Sequence, residues 1–456
     1  MNIRRSSQNE RRTVRSQALN RWVRLRRRAQ DETVRASLFF VPMLFVVGAI
    51  VLAQGSLLVD RQISMRGLTL PALLSATVDS ARAVLGTVAS ATITFSGIAF
   101  AVSLLLIQLV SSQFSPRAVY GFFRDPFSKR VMGVAVGTFT YCLLVLRAVR
   151  RPFEEGGQAV IPYVSVFLGL AMGIVTILAV LAFINHSAHA MEATEIIRRI
   201  TEDTQEQIAR LCLLGAPREA EPVEAVSAGP GFVVRSNQDG WVQHVDTQLL
   251  LSSVPDRGVV RLDTGAGMFV VEDRPLCTLW PDPQDPVAAT ETARAAIRLG
   301  RTRTMEQDLA FGFQQLVDIA LRALSPGVND PTTAREAIVH LGSALKGLLT
   351  RNLPPQVLMD ERGRRLVRAH DLTHADYLDL AVDEIRQAAT SQPGVIAVLL
   401  DTLGMLVGEL QDVPERAQLV RAKMAQVVDA CERSDLHPVD LAKILRIAGK
   451  APEAAP

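Results

Sequence analysis

VLGTVASATITFSGIAFAVSLLLIQLV, residues Val84 to Val110, contains no Asp, Glu, Lys, Arg or His. A helix rises about 1.5 Å per residue and the hydrocarbon core of a bilayer is about 30 Å thick, so roughly 20 apolar residues are enough to cross it. Counted from Ala83, this run is one of four that qualify; the others are Ser37 to Val59, Val131 to Ala148 and Ile161 to Ile184. The third is the shortest, and its end, RAVRR, places Arg147 where a long side chain reaches the headgroups. The expected fold class is therefore an α-helical integral membrane protein with four transmembrane helices over residues 37–184. A cleavable signal peptide is not expected, because the first apolar run starts late and no small-residue cleavage site follows it.

The quoted run also has a texture. Thr87, Ser90, Thr94, Gly97 and Ala101 follow helical spacing down one face. Small residues let helix backbones approach in lipid, so the stripe suits helix packing. Its hydroxyls equally suit the wall of a pore, with Phe95 or Phe100 shaping a constriction. Four helices of one chain cannot readily enclose an aqueous path, so the pore reading requires a homo-oligomer. None of the spans carries an Asp, Glu, Lys, Arg or His near its centre, which disfavours a proton-driven transporter.

Charge orients the spans. The first 35 residues hold eleven arginines against Glu10, Asp31 and Glu32, although the whole chain of 456 residues has a net charge of only +3. The positive-inside rule puts this arm (1–36) in the cytoplasm, and four spans return the carboxyl region to the same side. The loop SSQFSPRAVYGFFRDPFSKR agrees with this. The loop after the third span, with Arg147, Arg150 and Arg151, dissents, partly offset by Glu154 and Glu155. The expected location is the inner membrane, with both termini cytoplasmic. The arm either lies on the anionic leaflet through Trp22, Val23 and Leu25 or acts only as a topology signal. It needs no nucleic acid.

Beyond Asn185 the chain reads as water-soluble. His186 and His189 are three apart, a spacing that can chelate a metal, but no third ligand is legible nearby. Ile197, Ile200, Thr204, Ile208 and Leu211 form the apolar stripe of a stalk helix that packs on a partner. A Pro, Ala and Glu-rich linker completes residues 185–228. Alternating β-branched runs then indicate a small β module over 229–282, with two strands, a short helix near Thr247 to Ser252 and three more strands. Gly267, Phe269, Val270, Pro275 and Leu276 resemble the barrel-sandwich modules of lipoyl and biotinyl carriers. The carrier role is rejected, because no lysine for attachment lies between Lys129 and Lys346.

Residues 283–350 form the helical hairpin region. In EQDLAFGFQQLVDIALRALSPGVNDPTTA, Glu306 to Ala334, Thr304 and Gln307 read as a capping box just before the first helix. Leu309, Phe313, Leu316, Ala320 and Leu324 form an apolar stripe. Ser325-Pro326-Gly327 stops that helix, and Asp330-Pro331 starts the next. Asp308, Gln315, Asp318, Arg322, Asn329 and Asp330 are the candidate functional residues of this hairpin, with Asp318 and Arg322 spaced as an i,i+4 pair. Residues 351–450 read as a β-hairpin turning at Arg362-Gly363, followed by a helical bundle, and 451–456 as a tail.

RTRTMEQDLAFGFQQLVDIALRALSPGVNDPTTA, SSQFSPR and GTFTYCLLVLR resemble the family of predicted bacterial membrane proteins filed as domain of unknown function 2254. The likeness is collinear across most of the chain. Glu272, Asp273 and Arg274 depart from it where a glycine is expected before the last Pro-Leu of the β module. The resemblance implies the architecture and carries no activity with it. No enzyme, cofactor or metal is expected, since no nucleophile–base pair is legible and Cys142, Cys212, Cys277 and Cys431 form no C-x-x-C. Two functions follow. One is an oligomeric channel or transport pore with a cytoplasmic regulatory domain. The other is a membrane-anchored sensor or assembly scaffold that binds a cytoplasmic protein or small ligand without permeation.

Overall fold

The computed structural model describes residues 40–65, 77–113, 126–149, 162–189, 192–212 and 230–449. The basic arm, most of the loop after the second span, the linker and the tail lie outside them. The chain divides into two compact units, one ending at Glu192 and the other running from Ala193 onward.

The first unit holds α1 (Phe40–Met65), α2 (Val78–Gln113), α3 (Pro126–Ala148) and α4 (Tyr163–His189). Among the described residues these four helices are long and apolar enough to cross a bilayer. At 36 residues, α2 is about 54 Å long, well beyond a hydrocarbon core of about 30 Å. Glycines set the closest approaches. A Cβ on Gly133 would lie 2.6 Å from the Phe45 ring, one on Gly137 3.3 Å from the Phe45 carbonyl oxygen, and one on Gly169 2.8 Å from Leu85. Phe45 of α1 therefore sits over a small-xxx-small pair on α3. Ala49, Ala53, Leu85, Ala89, Tyr141 and Cys142 fill the core between the helices. The outward faces of α1 and α4 are apolar, with Met43, Leu44, Val51, Ile177 and Leu181 all exposed.

In the second unit α5 (Ala193–Leu211) buries Ile197, Ile200, Thr204 and Ile208. Its partner is the chain's own helical hairpin, α8 (Leu309–Leu324) and α9 (Pro331–Leu349). Thr201 Oγ1 lies 2.9 Å from His340 Nδ1 of α9, and Gln205 Nε2 donates to Ser343 at 2.9 Å. Gly312 of α8 leaves room for Thr204, whose hydroxyl oxygen would be 2.2 Å from a Cβ there.

The β region follows the expected order of β1 (Phe232–Arg235), β2 (Gly240–Val245), α6 (Thr247–Leu251), β3 (Val259–Leu262), β4 (Phe269–Val270) and β5 (Pro275–Trp280). It is not a self-contained module of residues 229–282. After α7 (Pro286–Ala296), β6 (Ile297–Gly300) joins β2 in the three-stranded sheet β4-β2-β6. The hairpin β7 (Val357–Met359) and β8 (Arg365–Arg368) completes the five-stranded sheet β1-β5-β3-β8-β7. There β8 runs parallel to β3, pairing Val260 with Leu366. Residues 229–282 thus supply strands to two sheets that distant segments complete. The reason is packing: Leu366 is fully buried in the same core as Val260 and Leu262. The expected helical bundle after the hairpin is α10 (His374–Ala388), α11 (Pro393–Glu409), α12 (Pro414–Glu432) and α13 (Pro438–Ile447).

Candidate functional site

Three groups of side chains bear on function, and each lies within one unit. The first is at one end of the helical bundle, where an aspartate caps a helix other than its own. Asp60 of α1 accepts the Val164 and Ser165 amides of α4, both at 2.9 Å, and the Ser165 hydroxyl lies 2.6 Å from its Oδ2. The Ser165 hydroxyl is also 2.9 Å from Ser56 Oγ, which is 2.9 Å from the Tyr141 hydroxyl. Tyr141, fully buried, donates to the Ser165 carbonyl at 3.0 Å. At the same end Arg82 of α2 donates to the Val149 carbonyl just past α3, at 2.8 Å. A carboxylate at a helix N-terminus and a guanidinium at a helix C-terminus both complement the helix dipole. Sequence reading missed these groups because Asp60 and Arg82 stand one residue outside the apolar runs as bounded there.

The second group is the small-residue stripe. Thr87, Ser90, Thr94, Gly97 and Ala101 are all exposed, and a Cβ on Gly97 would meet nothing within 4 Å. The face of α2 buried in its own bundle is instead Ala81, Leu85, Ala89, Thr92, Ser96 and Ala99. Among the described residues the stripe therefore packs against no helix of its own unit. Thr94 donates its hydroxyl to the Ser90 carbonyl at 2.8 Å. Inside the bundle the described hydroxyls are partnered, as with Thr138 and Thr176 at 3.0 Å. His186 packs its ring on Phe127, with centroids 4.7 Å apart, and the side chain of His189 lies outside the described residues.

The third group is the hairpin. Helix α8 begins after Asp308 rather than at Thr304, so the expected capping box is not formed. Gln307 is drawn away to the sheet, accepting from the Val245 amide at 2.8 Å and donating to its carbonyl at 3.2 Å. Asp308 takes over the cap. It is 4% exposed and accepts the Phe311 amide at 3.2 Å and Arg303 Nη2 at 3.1 Å. Burial pushes its carboxyl up from the ordinary 3.8, against the pull of Arg303. Arg303 in turn stacks over Phe311 and Trp241, 5.3 and 5.9 Å from their ring centres. Gly267, at φ +83°, lies against the Asp308 carboxylate where a Cβ would come within 2.1 Å of Oδ2. Only glycine fits there, for both backbone and space.

Of the other candidates, Gln315 is buried and Asp318 accepts Gln314 Nε2 at 3.0 Å. Arg322 lies in the last turn of α8. Asn329 adopts φ +47° in the corner and accepts Gln392 Nε2 at 3.2 Å. Asp330 caps α9 through the amides of Thr332 and Thr333. Asp308 and Asp330 thus flank a helix of 16 residues, about 24 Å long, and do not converge. The described residues hold no cluster of three or more His, Cys, Asp or Glu side chains able to bind a metal. All four cysteines are buried, and burial pushes the Cys212 thiol up to about 11 and Cys277 up to about 12. Neither is poised as a nucleophile.

Residues 35–405, from the edge of α1 into α11, match the family described as Predicted membrane protein (DUF2254). The chain belongs to that family. It is 31% identical over 437 residues to Uncharacterized protein Rv1290c of Mycobacterium tuberculosis and to Uncharacterized protein Mb1321c of Mycobacterium bovis. The alignment covers 94% of this chain and 82% of each relative. No solved structure matches. The DUF2254 match takes in the four apolar helices, both sheets and the α8–α9 hairpin, so the two units described above belong to one family architecture.

Proposed function

We propose that the chain is a multi-pass inner-membrane protein, with both termini cytoplasmic, that assembles into a homo-oligomeric pore with α2 along the path and the second unit as its regulatory domain. The observation that supports this is the direction of the α2 stripe. The weakly polar residues face away from their own bundle, while the described hydroxyls inside it bond to one another or to carbonyls of their own helices. An aqueous path then belongs between copies, not within one. The basic arm suits contact with an anionic inner leaflet. No enzymatic step is part of this reading.

One observation favours the alternative of a membrane-anchored sensor or scaffold without permeation. Thr94 satisfies its hydroxyl on its own helix, which makes a lipid-facing position tolerable. Flux from liposomes containing the full chain separates the two. Thr94→Leu or Gly97→Leu is expected to lower ion or small-solute flux at least tenfold, while the outward Ile177→Leu leaves it unchanged. Absence of flux, with partner binding retained by the second unit, would support the scaffold.

A further inference from the structure

We infer that the end of the bundle carrying Asp60 is a clamp, about which any rearrangement of the four helices must pivot. This rests on the bundle's own bonds and is independent of the pore reading. Asp60 and Ser56 come from α1, Ser165 from α4, Tyr141 from α3 and Arg82 from α2, so every helix contributes. The bonds also close one another. Asp60 holds the first amides of α4, and the hydroxyl of Ser165 lies between Asp60 Oδ2 and Ser56 Oγ. Tyr141 ties that pair to α3, and Arg82 separately ties the Val149 carbonyl, just past α3, to α2. Ser56, Tyr141 and Ser165 are buried, so separating the helices here would break several mutually supporting hydrogen bonds at once.

The arrangement is also held sterically. The Tyr141 ring lies over Gly169, where a Cβ would be 3.5 Å from Cε1 and 2.8 Å from Leu85 of α2. The hydroxyl reaches Ser56 and Ser165 only while α3 and α4 keep this contact. Asp60 is thus the positioning residue that sets the start of α4 against α1. A carboxylate with two acceptor oxygens matches two adjacent amides and a hydroxyl, whereas an asparagine offers one acceptor oxygen.

Hydrogen–deuterium exchange on the full chain in nanodiscs tests the clamp. In the wild type the amides of Val164 and Ser165 should exchange at least a hundredfold more slowly than an uncapped helix start. Asp60→Ala should speed them at least tenfold and leave the middle of α3, residues 133–142, protected. Asp60→Asn serves if the alanine variant does not assemble, with a smaller acceleration at the same amides. Tyr141→Phe should loosen the same turn of α4 through loss of one hydroxyl. Fast exchange at Val164 and Ser165 in the wild type, or no change in either Asp60 variant, would overturn the inference.

Discussion

Asp308 and Asp330 have the same side chain, cap consecutive helices and respond to pH with opposite sign. The Thr333 hydroxyl and amide hold the Asp330 carboxyl below its ordinary 3.8. A depressed folded value means the unfolded chain binds protons more readily, so the contribution is present above 3.8 and lost as pH falls through the folded value. Burial raises Asp308 instead, so its charged form disfavours the fold, and its contribution falls as pH rises above 3.8. Asp330→Ala should cost about 1 kcal/mol at pH 7, the usual worth of such a cap. Chemical denaturation should show that cost shrinking towards zero in strong acid. A cost independent of pH would show that the Asp330 carboxylate is not the source.

At the scale of elements, local chemistry was legible and distant pairing was not. The α8 and α9 stripes, the stop at Ser325 and the Asp330-Pro331 start all follow from residues within a few positions of one another. Thr304 reads as a cap for the same reason, but Gln307 is claimed by Val245, 62 positions away. The parallel pairing of β3 with β8 joins residues about a hundred positions apart, with no local signal to announce it. For α2, periodicity separated the faces without saying which one turns inward. Both carry small residues, and Leu85 against Gly169 decides it.

The α5–α8 contact makes an element-scale prediction. Gly312→Ala places a methyl 2.2 Å from the Thr204 hydroxyl oxygen and should destabilise the full chain by about 1–3 kcal/mol. Gly347→Ala in α9 meets nothing within 4 Å and should be neutral or gain up to about 1 kcal/mol. Thermal unfolding of the two variants side by side reads the difference. Equal behaviour would show that α5 does not depend on close approach to α8.

For the whole molecule, orientation and assembly are the two properties that matter. Since all four native cysteines are buried, orientation needs an introduced reporter, and the exposed Glu361 in the β7–β8 turn is suitable. In intact cells Glu361→Cys should resist a maleimide unable to cross membranes and react after the inner membrane is opened. Reaction in intact cells would reverse the topology. Assembly bears most directly on the pore, because among the described residues the stripe on α2 has no partner helix in its own unit. Native mass spectrometry of the full chain in nanodiscs should give a closed ring of four or more copies. A monomer or dimer would leave no wall for an aqueous path and would contradict the account.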